Sequence, residues 1–329
     1  MFATSSRAFL RALLIAGAGL GLGTQQANSQ DYPTRPVTIV VPLAPGGGAD
    51  FITRMLAEGL SKALPHRFLV ENKPGANGNI GNAAVARVTP DGYTLLSAYS
   101  GFHVTNPTIY PNPGWDPIKD FEPIALIGRA PDGIVAKKDL PVSNLRELID
   151  HAKKNPNKLT FASTGIGSIS QIGGEQLMQA TGIKLTHVPY RGAGPAMNDL
   201  LGGNVDISIL TPASAMGNLS AGSIKALGLA ADKRHPMLPS VQTAAEQSIP
   251  GIDLTVWFAV YAPAGTPKPI VNRLASEIEK VVASQTFRER LLEQGSYAEY
   301  LGPKALAELS KKDLDYCAPI LKAANIKVA

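Results

Sequence analysis

The residues of this chain that could do chemistry lie in short loops rich in glycine, serine and threonine. In the first loop, Gly46, Gly47 and Gly48 follow a β-branched run at 38–41, and Asp50 precedes a helical pattern. This order predicts a strand, a tight loop and a helix with Asp50 as its N-cap. Glycine lets backbone N–H groups turn toward a ligand, and the helix N-terminus adds about half a positive charge. The loop is therefore suited to hold an anion without Lys or Arg, although a plain strand-to-helix connection would show the same pattern.

The same order of strand, polar loop and helix recurs further along the chain, at 163–168, at 191–194 and after Leu210. In the second loop, hydroxyl groups of Thr164, Ser168 and Ser170 can donate hydrogen bonds beside the loop amides. Ser168 would equally serve as a plain helix cap. Facing helix N-termini suit a ligand with a negative group at each end, and a dicarboxylate is the simplest such ligand.

Four side chains near these loops each have two interpretations. Arg191 either faces an anion or is a solvated loop charge. Asp206 either orients the loops by hydrogen bonds or caps a neighbouring strand end. Tyr190 and Trp257 either form the wall of an apolar cleft or pack in the core.

The sequence contains no catalytic or cofactor-binding motif. It has no Walker loop, its glycines at 46–48 and 75–81 miss the dinucleotide-binding spacing, and it has no G-x-S-x-G elbow. The histidines show no metal-binding spacing and the single cysteine is Cys317. We interpret the histidines as surface or loop residues, with His103 and His187 less certain because they lie near predicted strand ends. We therefore expect no cofactor, no metal and no enzymatic activity.

The first 29 residues have the pattern of a secretory signal peptide. Arg7 and Arg11 precede an apolar run at 12–23, and 27–29 resembles a small-x-small cleavage site. The run is shorter than the roughly 20 residues that a membrane-spanning helix needs. We expect cleavage after Ser29 and export. Loss of the two arginines lowers the formal net charge from +5 to +3, which is too weak for a nucleic-acid-binding protein.

The remaining chain alternates predicted strands and helices. A β-α-β-α-β pattern over 37–98 implies a parallel sheet. Because a single core rarely exceeds about 250–300 residues, the length of 329 residues predicts two α/β domains. We interpret the apolar runs at 121–136 and 253–262 as the segments that cross between them. The predicted domains are a discontinuous first domain, 31–125 plus 258–329, and a second domain, 126–257, with the ligand cleft between them.

Short motifs that extend along the chain carry a family resemblance. They occupy residues 42–50, 71–81, 90–94, 120–124, 163–168, 188–192, 199–203 and 262–267. In this order they resemble the extracytoplasmic substrate-binding receptors of tripartite tricarboxylate transporters, the TctC or Bug family. The resemblance covers residues 31–329. It implies a periplasmic binding protein of type II, a Venus-flytrap fold with parallel-rich sheets and helices on both faces.

The resemblance also implies which residues hold the ligand. The loop at 42–50 would bind one carboxylate through backbone amides, and the loop at 163–171 would contact the ligand from the other domain. Many members carry His where this chain has Gln171, which cannot titrate or carry charge, so we expect a neutral ligand end there. The expected ligand-binding residues are Leu43, Ala44, Pro45, Gly46, Gly47, Gly48, Ala49, Asn77, Ser100, Ser163, Thr164, Gly165, Ser168, Gln171, Tyr190, Arg191, Gly192 and Asp206.

The function implied by this resemblance is that of a monomeric receptor for a small organic acid, whether a dicarboxylate, a tricarboxylate or an aromatic acid. It would deliver the acid to the membrane permease subunits of a tripartite transporter and would close around it at the two crossing segments. Two alternatives stay open. One is an exported α/β enzyme that acts on an anionic substrate, and the other is a ligand-sensing partner of a sensor kinase, which needs the same cleft.

Overall fold

Buried runs of valine, isoleucine and leucine form the strands of a mixed α/β fold. The computed structural model describes residues 32–190, 192–231, 233–249, 251–252, 254–323 and 325–327. The predicted signal peptide and its cleavage site lie outside these residues. All elements below belong to one compact unit that begins at Pro33. No helix within the described residues is long and apolar enough to cross a membrane.

The strands fall into two sheets that share one strand. They are β1 (Val37–Val41), β2 (Phe68–Asn72), β3 (Thr94–Tyr99), β4 (Phe121–Lys137), β5 (Thr160–Ser163), β6 (Thr186–Pro189), β7 (Ile207–Leu210), β8 (Ile224–Ala230) and β9 (Thr255–Pro263). The strand order is β2-β1-β3-β9-β4-β7-β5-β6, and β8 also pairs with β4. β1 pairs in parallel with β2 and β3, and β5 pairs in parallel with β6 and β7. The predicted α/β class and the parallel βαβ units are therefore confirmed, while β4 and β9 add antiparallel pairs.

Strand β4 belongs to both sheets. It pairs with β9 from Phe121 to Pro131, and with β8 from Asp132 to Lys137. The apolar run predicted at 121–136 is a single strand of 17 residues. Its position agrees with a crossing segment, and the domain boundaries at 125 and 257 remain predictions.

The helices connect these strands and cover the sheets. They are α1 (Gly48–Ala63), α2 (Asn79–Ala86), α3 (Ser100–His103), α4 (Asn106–Ile109), α5 (Leu145–Lys154), α6 (Ile169–Thr181), α7 (Ala193–Leu201), α8 (Pro212–Ser220), α9 (Lys268–Ala283), α10 (Gln285–Glu293) and α11 (Pro303–Ala323). A 3-10 turn, Ala76–Gly78, precedes α2. Helices α1, α6, α7 and α8 each begin just after the carboxyl end of a strand. Their N-termini therefore gather at one edge of the sheets.

Candidate functional site

The loop between β1 and α1 presents unpaired backbone amides. Gly47 occupies the N-cap position with extended backbone (φ −87°, ψ 172°). Gly46 has a φ of +89°, a conformation that favours glycine. Among the residues that the structure describes, no acceptor pairs with the amides of Gly47, Gly48 and Ala49. Free donors at the positive end of a helix form an anion-binding site.

Asp50 does not cap α1, so this part of the prediction is wrong. The helix begins two residues earlier, and Asp50 lies in its first turn, where Oδ2 accepts from Gly46 N at 2.9 Å and from Arg54 Nε at 3.0 Å. Oδ1 accepts from Asn72 Nδ2 at 3.0 Å. Burial acts to raise the pKa of Asp50, but hydrogen bonds from Arg54, Gly46 and Asn72 outweigh it and lower the pKa. The ion pair fixes the glycine loop and leaves neither charge free for a ligand.

Hydroxyl groups of the loop between β5 and α6 bond mainly to the loop itself. Ser168 is the N-cap of α6, and its hydroxyl donates to Gly165 O at 2.7 Å. Ser170 Oγ accepts from Thr164 N at 2.8 Å and lies 2.9 Å from Ser168 Oγ. This network holds Thr164 and Gly165 at the surface of the cleft described below. Ser168 is thus a cap that shapes the loop.

Ser163 and Gln171 fix the two ends of the same loop. Ser163 Oγ lies 2.6 Å from His187 Nε2, and the His187 ring stacks on Phe161 with the ring centroids 4.7 Å apart. Burial lowers the pKa of His187, so the ring is neutral at physiological pH. At the other end, Gln171 Oε1 accepts from Gly167 N at 2.7 Å. Both predicted site residues therefore position the loop, and neither lines the cleft.

Two further helix starts face the same space. Gly192, with a φ of +110°, is the N-cap of α7, which begins earlier than the predicted loop at 191–194 implied. Thr211 is the N-cap of α8, in agreement with the helix predicted after Leu210. Gly192 has no side chain to cap α7, and the Thr211 hydroxyl lies 3.2 Å from the Ser214 hydroxyl and does not accept from a backbone amide of α8. Ala213 and Ser214, in the first turn of α8, line the cleft. The site thus has helix N-termini on both sides.

Tyr190 lines the cleft described below, which agrees with the first of its two interpretations. Its hydroxyl donates to Asp199 Oδ2 at 2.5 Å, and Asp199 Oδ1 accepts from Asn204 Nδ2 at 3.1 Å. Burial and the Asp199 carboxylate raise the pKa of Tyr190 to about 12. The phenol therefore stays protonated and its ring stays fixed against α7.

A cleft of about 1680 Å³ lies between these loops. Apolar and aromatic side chains contribute to its lining, among them Phe51, Phe102, Tyr110 and Met197. Among the described lining residues, only Asp50 and Arg54 carry charge, and they form an ion pair of 3.0 Å with each other. An anion in this cleft would therefore be held by backbone amides and helix dipoles, since no unpaired cation is present in the described lining.

Most of the predicted site residues line this cleft. They are Leu43, Ala44, Pro45, Gly46, Gly47, Gly48, Ala49, Asn77, Thr164, Gly165, Tyr190 and Gly192. Arg191 lies outside the described residues. Ser100 is buried, and its hydroxyl accepts from Trp257 N at 2.9 Å, so it supports β9 and does not line the cleft.

Asp206 lies at the wrong end of the sheet for a ligand contact. It precedes β7, and its carboxylate accepts from Thr160 N at 2.8 Å, at the start of β5, and pairs with Lys137 Nζ at 2.7 Å. Burial acts to raise the pKa of Asp206, but its bonds to Lys137 and Thr160 lower it. The cleft forms at the carboxyl ends of these strands, so the placement of Asp206 in the site is corrected: it ties strands together.

His103 and Trp257, whose positions the sequence left open, are core residues. His103 packs against Trp115 and stacks on Tyr261 with the ring centroids 4.8 Å apart, and burial lowers the pKa of His103 to about 3. Trp257 is fully buried, and its Nε1 donates to Asp313 Oδ2 at 2.8 Å. No group of His, Cys, Asp and Glu within the described residues is arranged to hold a metal ion.

Several lining residues were not predicted from the sequence. They are Pro42, Asp50, Phe51, Arg54, Pro74, Gly75, Ala76, Gly78, Phe102, Tyr110, Ile166, Pro189, Ala193, Gly194, Met197, Asn198, Ala213, Ser214, Leu291, Gln294 and Ser296. The helix start after Thr211 was a usable signal for Ala213 and Ser214. Leu291, Gln294 and Ser296 come from the end of α10 and the turn after it, and nothing local in the sequence marks them.

A mixed α/β fold with helix N-termini on both sides of a cleft is compatible with a solute-binding protein. The sequence model of the tripartite tricarboxylate transporter family receptor, TctC, matches residues 52–326. The chain belongs to this family.

Curated relatives have similar lengths. A UPF0065 protein of a Pseudomonas species is 35% identical over 309 residues, which cover 93% of this chain and 92% of the relative. Protein BugT of Bordetella pertussis is 33% identical over 285 residues, which cover 86% of each chain. The similarity thus extends over nearly the whole chain in both proteins.

Solved structures show the same fold. An R. palustris protein with adipate superimposes with a TM-score of 0.83 at 34% identity, covering 90% of this chain and 99% of that one. The periplasmic binding protein BugD gives 0.79 at 38% identity, with coverage of 90% and 99%. MatC from Rhodopseudomonas palustris, with bound malate, gives 0.79 at 32% identity, with coverage of 88% and 100%. The predicted fold class and the resemblance to the TctC or Bug family are confirmed.

Proposed function

We propose that this protein is an exported, non-enzymatic receptor that binds a small organic carboxylate in the cleft. The observation that carries the proposal is the set of unpaired amides at Gly47, Gly48 and Ala49, which meet the cleft at the N-terminus of α1. Carboxylate oxygens are acceptors that match such donors. The starts of α7 and α8 line the cleft as well, although Pro212 has no N–H and Ser214 N donates to Thr211 O at 3.0 Å.

A dicarboxylate is the ligand that this arrangement favours. Two facing sets of helix N-termini complement two anionic ends, and the apolar residues of the lining suit a hydrocarbon chain between them. The relatives solved with adipate and malate hold molecules of this type. Backbone donors can bind such an acid and release it again, as a delivery protein requires.

The family relationship supports the partner and the location. We infer that the receptor acts in the periplasm, that it is a monomer, and that it delivers its ligand to membrane permease subunits of a tripartite transporter. Loss of uptake of the bound acid on deletion of the gene tests this step. Retained uptake with loss of a transcriptional response to the acid would favour the sensor-kinase alternative.

The contact between Ser163 and His187 is relevant to the enzymatic alternative. Ser163 and His187 form the close pair that a nucleophile and its base would form. However, Ser163 is fully buried, its hydroxyl donates to Gly165 O at 3.1 Å, and neither residue lines the cleft. A substrate in the cleft would therefore not reach this hydroxyl, which favours binding without turnover.

Isothermal titration calorimetry with adipate, malate and benzoate tests the binding proposal. Adipamide, the neutral isostere of adipate, is the matched control, because it retains the chain and lacks both charges. At 100 times its dissociation constant, a true ligand should raise the free energy of unfolding by about 2.7 kcal/mol. Absence of binding by a wider carboxylate panel, or equal binding of adipate and adipamide, would contradict the proposal.

A further inference from the structure

The turn before α2 holds two consecutive non-glycine residues in left-handed backbone. Ala76 has a φ of +46° and Asn77 a φ of +51°. A buried amide network maintains this conformation: Asn106 Nδ2 donates to Asn77 O at 2.8 Å and lies 2.7 Å from Asn79 Oδ1, which also accepts from Trp115 Nε1 at 2.8 Å. Strained backbone that its surroundings enforce often has a function.

The strained turn aims the Asn77 side chain across the cleft. Asn77 Nδ2 donates to Ile166 O at 3.2 Å, in the loop between β5 and α6. A second contact supports the same approach: a Cβ on Gly167 would lie 2.0 Å from Ile109 Cδ1, so α4 packs directly on that loop. Asn77 follows β2 and Ile166 follows β5, so these contacts join the two sheets at the cleft.

We propose that Asn77 is a latch, a positioning residue that controls how fast the ligand leaves. It acts through Ile166, whose carbonyl it holds, and it contributes to closure of the cleft rather than to recognition of the carboxylate. This inference rests on the proposed function. A latch of this kind slows release and has little influence on entry, because it forms only when the two loops have come together.

Two substitutions at position 77 distinguish the effect of the side-chain hydrogen bond from the effect of the backbone conformation. Asn77→Gly retains the left-handed turn without strain and removes the donor. Asn77→Asp retains the size and the tolerance for positive φ, and it places an acceptor opposite the Ile166 carbonyl. Asn157, an exposed asparagine that also has a positive φ (+60°), lies in the turn before β5 and does not line the cleft. Asn157→Gly and Asn157→Asp are therefore the matched controls.

Stopped-flow measurement of ligand release, with the tightest carboxylate found by calorimetry, is the first test. The Asn77→Gly variant should release the ligand about three to ten times faster, the factor expected from loss of one hydrogen bond. Its association rate should stay within about twofold of the wild-type rate, and both Asn157 variants should release the ligand at the wild-type rate. Asn77→Asp adds a negative charge to the lining of a cleft that binds an anion, so its rates also include charge repulsion. Unchanged release in Asn77→Gly, or an equal loss in both of its rate constants, would overturn the latch.

A ligand-free measurement separates failure of the latch from failure of the proposed function. Spin labels on Glu71→Cys and Pro195→Cys, two exposed positions beside the cleft, report the distance across it by electron double resonance, while the native Cys317 is buried. The Asn77→Asp substitution should lower the population with the short distance. If no acid binds the wild-type protein, the proposed function fails but this population still tests the latch, and an unchanged distribution contradicts it.

Discussion

The glycine loop offers the sharpest test of amide-only recognition. A Gly47→Pro substitution removes one backbone donor and adds no charge. The position tolerates the ring: φ is −87°, the amide has no acceptor among the described residues, and no atom lies within 4 Å of an added Cβ. The change therefore removes a donor to the ligand and no hydrogen bond that supports the described fold.

The expected loss of binding affinity follows from the negative charge of the carboxylate that accepts the hydrogen bond. A hydrogen bond to a charged group contributes about 1.5–3 kcal/mol, which corresponds to roughly a 10- to 150-fold rise in the dissociation constant. The free energy of unfolding should change by less than about 1 kcal/mol, since proline restricts the unfolded chain at a compatible site. Binding should thus suffer much more than folding.

Calorimetry and urea denaturation of the variant, side by side, give both quantities. Gly47→Ala is the matched control, because it adds a Cβ in open space and keeps the N–H. The alanine variant should bind with nearly wild-type affinity. Wild-type affinity in the proline variant would refute the role of the amide, and an equal loss in both variants would assign the effect to the side chain.

Three further predictions concern the residues around the cleft. Asp50→Asn should lower the free energy of unfolding by about 1–2 kcal/mol at pH 7. Because the pKa of Asp50 is lowered in the folded state, its stabilisation is present above the unfolded value near 3.9 and is lost as the pH falls through the folded value, so the difference between the two proteins in urea denaturation should shrink as the pH falls below about 3.9. Asp206→Asn should lower stability by a similar amount and leave the dissociation constant unchanged; weaker binding in calorimetry would return Asp206 to the site. Gly167→Ala should lower the Tm and weaken binding because of Ile109, whereas Gly182→Ala, at a similar positive φ with open space, should lower the Tm less and spare binding; equal effects in both would rule out the Ile109 contact.

The loops of the site were predictable because their signals are local. Glycine at 46–48 and the polar residues at 163–165 follow apolar strands directly, and the order of strand, loop and helix places them at the carboxyl edge of a sheet. The same rule would have excluded Asp206, since it precedes its strand. The fold class followed from the alternation of apolar runs in the same way.

Other features depend on contacts between distant parts of the chain. Leu291 and Ser296 reach the cleft only because the C-terminal region packs back beside α1. Gln171 was expected to face one end of the ligand, and only the structure shows that its side chain accepts from the Gly167 amide. The direction of the Asn77 side chain depends on a turn that buried amides from α4 and α2 maintain.

Strand β4 belongs to both sheets, and we expect it to govern how the cleft opens. A flexible linker would allow the two sides of the cleft to move independently. A continuous strand that is hydrogen-bonded on both sides resists such movement. Its register with β9 shifts near Pro123 and Leu126, and its register with β8 shifts between Ile134 and Val135. Such irregularities increase the local twist of a strand, so we expect β4 to bend at these positions. We therefore expect the cleft to open by a small twist of β4 that reverses when the ligand leaves, and not by free rotation about a flexible hinge.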